Sequence, residues 1–188
     1  MNDVIQAAAD LQTICQSQDW QFCFIGGLAL QRWGEPRRTV DVDLSLFVGF
    51  GDEQRFCDVL LEHFAPRISD AAAFARDRRV LLLRSTNGVG LDVSLAALPY
   101  EALVINHSSY FVYPPDVSLR ICSAEDLIVL KAFAGRGRDW VDVEGMIVRQ
   151  KGKLEWDYIR EQLAPLAELK DSPGIMEQLE ALRVEFDR

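Results

Sequence analysis

The run Phe24-Ile25-Gly26-Gly27-Leu28-Ala29-Leu30-Gln31-Arg32-Trp33-Gly34-Glu35-Pro36-Arg37-Arg38-Thr39-Val40-Asp41-Val42-Asp43-Leu44 decides the reading of this chain. An apolar strand ends in a glycine pair, a short apolar segment follows, and a basic loop leads into a second strand. Asp41 and Asp43 alternate there with Val40, Val42 and Leu44. Strand side chains point to opposite faces in turn, so the two aspartates project to the same side, with Cα atoms about 6.6 Å apart. Neighbouring carboxylates resist joint ionisation. A divalent cation relieves that, and Mg²⁺ favours one or two carboxylates together with phosphate oxygens. The pair alone also suits the polar face of an ordinary half-exposed strand. The upstream glycines favour the first reading, because backbone without Cβ atoms at a strand-to-helix junction lets N–H groups approach a phosphate.

Working outward, Trp20–Ile25 reads as a central strand, preceded by a helix over residues 3–17 capped by Asn2 or Asp3. Leu28–Trp33 reads as a short helix and Thr39–Val48 as the strand carrying the aspartates. Asp52 opens a helix to about His63 that Pro66 stops. Arg79–Thr86 and Val89–Leu95 form a hairpin around Asn87-Gly88, expected as a two-residue turn. The returning strand carries a third carboxylate, Asp92, between Leu91 and Val93; in isolation it is equally a solvent-facing strand residue. Leu98–Asn106 reads as a short helix, and Tyr110–Tyr113 and Val117–Cys122 as edge strands. Ser123 caps a helix containing Lys131, with Asp126 at the capping-box position. Further helices cover Asp139–Val148, Glu155–Leu169 (bent or split at Pro165), and the segment from Ser172-Pro173 onward.

The 188 residues carry 20 basic and 29 acidic side chains, a net charge of −9. That excludes broad, non-specific nucleic-acid binding, which depends on phosphate neutralisation, but leaves room for a local basic patch. No apolar run approaches the roughly 18 residues of a membrane span. The start Met1-Asn2-Asp3 lacks the basic n-region of a secretory signal. Cys15, Cys23, Cys57 and Cys122 are widely spaced without a C-x-x-C, which reads as buried reduced thiols in a cytoplasmic protein. His63 and His107 are isolated.

Gly26-Gly27, Asp41-Val42-Asp43 and the later apolar-flanked Asp92 resemble the nucleotidyltransferase superfamily related to DNA polymerase β. Arg37-Arg38-Thr39-Val40-Asp41-Val42-Asp43 is similar to the AbiEii/AbiGii toxin-type branch and its bacterial relatives. So are Glu125-Asp126-Leu127-Ile128-Val129-Leu130-Lys131 and Arg138-Asp139-Trp140-Val141-Asp142. The similarity spans about residues 20–150; the last 38 residues carry no placed motif.

The resemblance implies an α+β nucleotidyltransferase fold, with a mixed or antiparallel central sheet flanked by helices. Residues 1–122 would be the catalytic core, and 123–188 a C-terminal helical region packed on it as one compact unit. It implies Mg²⁺ or Mn²⁺ held by Asp41, Asp43 and Asp92, the last also helping to deprotonate an acceptor hydroxyl. Gly26, Gly27, Arg37, Arg38, Thr39 and Lys131 would bind the phosphates of an NTP. On a helix, Lys131, Arg138, Asp139 and Asp142 also suit a merely solvated charged face, and Arg138 with Asp139 also suits a structural pair positioning Lys131. The implied reaction moves an NMP to an acceptor hydroxyl and releases pyrophosphate. RNA, particularly a tRNA 3′ end, is the favoured acceptor, gripped by residues such as Arg76, Arg78, Arg79, Arg136 and Arg138. A cognate antitoxin is an implied partner. Two alternatives stand beside this: a small-molecule or protein hydroxyl as acceptor, and a non-catalytic binding partner of the same fold.

Overall fold

The computed structural model describes residues 2–187. The chain falls into two compact units, the first running to Leu28 and resuming at Arg38–Cys122, the second comprising Ala29–Arg37 and the chain from Ser123 onward.

The first unit holds a seven-stranded mixed sheet. Helix α1 (Asp3–Ser17) begins at Asn2, whose side chain accepts the Val4 N–H, and buries Val4, Ala7, Ala8, Leu11 and Cys15 at helical spacing. The elements that follow are β1 (Phe22–Phe24), α2 (Gly26–Trp33), β2 (Asp41–Phe47), α3 (Glu53–His63), β3 (Ala65–Pro66) and α4 (Ala71–Arg78). The hairpin β4 (Val80–Arg84) and β5 (Gly90–Ala96) leads to α5 (Pro99–Asn106), β6 (Ser109–Tyr113) and β7 (Val117–Ile121). The strand order is β3-β4-β5-β2-β1-β7-β6. β2 runs antiparallel to β1 and parallel to β5, and β1 runs parallel to β7.

Register follows from one apolar face. Phe22 and Phe24 on β1 lie opposite Leu46 and Leu44 on β2. Val42, Leu44 and Leu46 lie opposite Leu91, Val93 and Leu95 on β5, and all eight are buried. The other face carries Cys23, Asp41, Asp43, Ser45 and Asp92. Its Cys23 end is covered by α5, where the thiol donates to the Val104 carbonyl at 3.8 Å. Its aspartate end is only half-buried.

One expectation shifts here, and one unassigned stretch takes form. Asn87-Gly88 does not form a two-residue turn: Ser85 and Val89 pair, the Gly88 N–H donates to the Ser85 carbonyl, and Gly88 adopts φ +87°. A three-residue loop therefore places glycine where a left-handed residue is needed. The stretch between Phe64 and Arg79, which carries no clear periodicity, forms β3 and α4.

The second unit is helical: α6 (Ala124–Ala134), α7 (Gly137–Arg149), α8 (Trp156–Leu169) and α9 (Gly174–Phe186). Ser123 caps α6 by accepting the Asp126 N–H. The fully buried Asp126 carboxylate also accepts the Ser123 and Tyr158 hydroxyls, both at 2.6 Å. Burial and that donation push the Tyr158 phenol far above its ordinary range. Pro165 does not split α8. Ile159, Leu163 and Ala167 on either side of it are buried, and their packing outweighs the one backbone hydrogen bond proline removes. All four cysteines are buried thiols outside any disulfide; desolvation raises Cys15 to about 12 and Cys57 to about 11. Among the described residues no helix is long and apolar enough to cross a membrane.

Gln12 ties α1 to the sheet: its amide donates to the Ser118 carbonyl at 2.7 Å and accepts the Arg120 N–H at 3.0 Å. Gln12→Ala strands both groups of β7 and is expected to cost about 1–3 kcal/mol, read as a lower urea midpoint.

Candidate active site

The first unit brings six of the expected residues to one end of its sheet. Ile25 donates its N–H to the Asp43 carbonyl at 3.0 Å, so the glycines following β1 lie beside the second aspartate. Gly26 has φ +58°, and a Cβ there would lie 2.0 Å from Oδ2 of Asp43. The Gly27 N–H donates to that same oxygen at 3.5 Å. A Cβ on Gly27 would lie 2.3 Å from Oγ1 of Thr39. Each glycine thus answers a close approach: the Asp43 carboxylate on one, the Thr39 hydroxyl on the other. Thr39 in turn donates to the backbone carbonyl and to Oδ1 of Asp41, 3.3 Å from each. Arg38 is exposed.

Asp43 lies directly opposite Asp92 in the parallel β2–β5 pairing, and Asp41 opposite Gly90. In-register neighbours share a face, so all three carboxylates stand on one side of the sheet. Burial raises the Asp92 carboxyl above its ordinary value. Arg67 opposes that rise by charge and hydrogen bond, and the Asp41 charge adds to it. Arg67 is the residue sequence reasoning missed. It follows β3, and its Nη2 donates to Oδ1 of Asp92. No local pattern flags it, because its partner lies 25 positions away.

The donor set is all oxygen, which suits a hard divalent cation, and Asp41 with Asp43 fits the two-carboxylate requirement. The third carboxylate is held by a guanidinium. Accordingly, no group of three His, Cys, Asp or Glu side chains among the described residues is arranged to hold a metal ion.

Arg37 and Lys131 belong to the second unit. Arg37 donates through Nε and Nη2 to the two oxygens of Asp142, both at 3.1 Å. Lys131 is buried and donates to Asp142 at 2.6 Å and Asp139 at 3.3 Å. Asp139 and Asp142 therefore position Lys131; Arg138 is exposed. Burial alone would raise the Asp142 carboxyl, but the hydrogen bonds and charges of Arg37 and Lys131 outweigh it and hold the group low. Of the arginines expected to grip an acceptor, Arg79 is fully engaged: it donates to the Leu95 and Gly49 carbonyls and to Glu53. Arg78 and Arg136 are exposed.

Comparison with known proteins gives a consistent answer. Residues 11–171 match the family described as "Nucleotidyl transferase AbiEii toxin, Type IV TA system". No curated protein matches the chain. An antigenic nucleotidyltransferase-like protein from Paracoccidioides brasiliensis is similar in structure, with TM-score 0.52 and 18% identity, covering 96% of this chain and 93% of that one. That similarity shows the fold to be of the α+β nucleotidyltransferase type. The crystal structure of ANT(2″)-Ia in complex with adenylyl-2″-tobramycin aligns at TM-score 0.47 and 15% identity, covering 97% and 95%.

Two outcomes follow from this geometry. Gly26→Ala forces a left-handed alanine, about 1–2 kcal/mol from the backbone alone, and displaces the Asp43 carboxylate; a urea melt and nucleotide binding should both register the change. Asp142→Asn leaves two cations undercompensated and should cost about 3 kcal/mol at pH 7. The Asp142 carboxyl is lower in the fold than in the unfolded chain. Its contribution is therefore complete above the ordinary aspartate value of about 3.9 and lost as pH falls through the folded value. Melts of wild type and Asp142→Asn should converge in that acid range.

Proposed function

Because the chain belongs to the AbiEii family of nucleotidyl transferase toxins, and is therefore a nucleotidyltransferase, we propose that it moves an NMP from an NTP to a hydroxyl of RNA, a tRNA 3′ end in the first instance. The observation supporting this most directly is the placement of Asp41, Asp43 and Asp92 on one sheet face beside the Gly26-Gly27 turn that opens α2.

Asp41 and Asp43 supply the oxygens for Mg²⁺ or Mn²⁺, with Asp92 completing the carboxylate set. When bound, such ions stabilise charge on the attacking and leaving oxygens. The α2 N-terminus at Gly26 and Gly27 receives triphosphate oxygens. Thr39 orients Asp41, and Arg38 adds a phosphate contact. The acceptor hydroxyl oxygen forms a bond to the α-phosphorus as the bond from that phosphorus to the bridging oxygen breaks. Its electron pair departs with pyrophosphate, and the hydroxyl proton passes to Asp92. With Arg79 engaged internally, the exposed Arg78 is left for the acceptor on the first unit. The protein acts in the cytoplasm as a toxin restrained by a cognate antitoxin.

The test is incubation with α-labelled NTPs, Mg²⁺ or Mn²⁺ and total tRNA, comparing wild type with Asp43→Asn. Label on RNA that falls to background in the variant is the expected result. Label on the protein would redirect the reading to protein nucleotidylation. Absence of NTP binding would make the chain a non-catalytic partner.

A further inference from the structure

Arg67 has no part in the chemistry described so far, yet it is built into the acidic face. Its backbone N–H donates to the Leu82 carbonyl at 3.0 Å. Leu82 is the register partner of Asp92, which is the register partner of Asp43. Arg67, just past β3, therefore continues the row formed by Leu82, Asp92 and Asp43 across β4, β5 and β2, and its anchored backbone lets the side chain reach along that row. The guanidinium extends to Asp92 at one end. At the other, its Nη1 lies 3.0 Å from where a Cβ on Gly90 would stand, and Gly90 is the register partner of Asp41. A side chain at position 90 would crowd the guanidinium; glycine leaves it room.

Two physical features define this contact. Facing Cα atoms of paired strands stand about 4.8 Å apart, so Asp43 and Asp92 repel unless a positive charge intervenes. Arg67 supplies one such charge. The contact is also incomplete, because the buried Arg67 Nε has no hydrogen-bond partner. An unmet buried donor works against the position the side chain occupies. Neither partner is sealed: the side chains are 25% and 34% exposed.

We propose that Arg67 is a resident cation that withholds Asp92 from the ion-binding set, so that the three-carboxylate site assembles only when a divalent cation, arriving with nucleotide, takes over its charge. The inference rests on the carboxylate reading of the proposed function. Arg67 is a positioning residue acting through Asp92. It makes the empty enzyme a poor binder of free cations while keeping the acidic face electrostatically tolerable.

The test is Mn²⁺ titration followed by electron paramagnetic resonance, on the full chain without nucleotide. Arg67→Gln should bind Mn²⁺ at least about tenfold more tightly than wild type, in the range by which outer-sphere partners tune metal affinity. The gain should vanish in Arg67→Gln/Asp92→Asn. Arg67→Lys, which keeps the positive charge, should bind Mn²⁺ no more tightly than wild type; this arm does not depend on how Arg67→Gln folds. Equal or weaker binding by a folded Arg67→Gln, or binding by Arg67→Lys clearly tighter than wild type, overturns the proposal. If Asp43→Asn still abolishes binding in those cases, the carboxylate reading survives and only the role of Arg67 falls. Mn²⁺ binding unaffected by Asp43→Asn, or absent from every variant even with ATP, overturns both.

Discussion

The contact on which the site depends is the approach of the Asp43 carboxylate to a backbone without a Cβ. Gly26 and Gly27 are the first residues of α2, and each is faced by a β2-side group that any larger residue would strike. The Asp43 carboxylate therefore reaches the helix N-terminus, where an N–H and the helix dipole favour negative charge. Thr39, whose hydroxyl occupies the space a Cβ on Gly27 would need, donates to Asp41. One short turn thus orients both carboxylates of the strand. An anionic phosphate arriving at that N-terminus would meet donors already pointed at an acidic group, which suits a ligand that brings its own cation.

Orientation alone is insufficient unless the strands are in register, and register is enforced from the opposite face. Val42, Leu44, Leu46, Leu91, Val93 and Leu95 are buried to within 1% of complete exclusion from solvent. Slipping β2 by one residue would turn these side chains toward the polar face and drive Asp41 and Asp43 into the apolar one. Burying even one unpaired carboxylate there is prohibitive. The apolar core and the cost of burying Asp41 or Asp43 in it together set the relation of Asp43 to Asp92.

This division explains what could be read from the chain alone. Gly26-Gly27, Asp41-x-Asp43 and Asp92 are local signals set in alternating or apolar strands, and the strands carrying them lie within two residues of where the pattern puts them. The Ser123 cap and its Asp126 partner are equally local. Arg67 is different. It follows a two-residue strand whose pairing is visible only once β4 is in place, and α4 beside it is alanine-rich with little amphipathic contrast. Arg37 pairs with Asp142 across 105 positions, a relation that no periodicity encodes. Near Asn87-Gly88 the residue types announced a turn correctly but not its length, because loop length is settled by the pairing of Ser85 with Val89.

The two units share an electrostatic logic. In the first, an aspartate on the acidic face is held by Arg67; in the second, a buried lysine is held by Asp139 and Asp142, with Arg37 closing the cluster. Removing one member of a buried charged set leaves an uncompensated charge and a penalty of about 3–5 kcal/mol. Such groups persist only with internal partners of opposite sign. In each set the opposite charges come from within the same unit, so neither needs a charge from outside to stay compensated. That is the physical reason a fold with a net charge of −9 can keep part-buried carboxylates and cations without being destabilised by them.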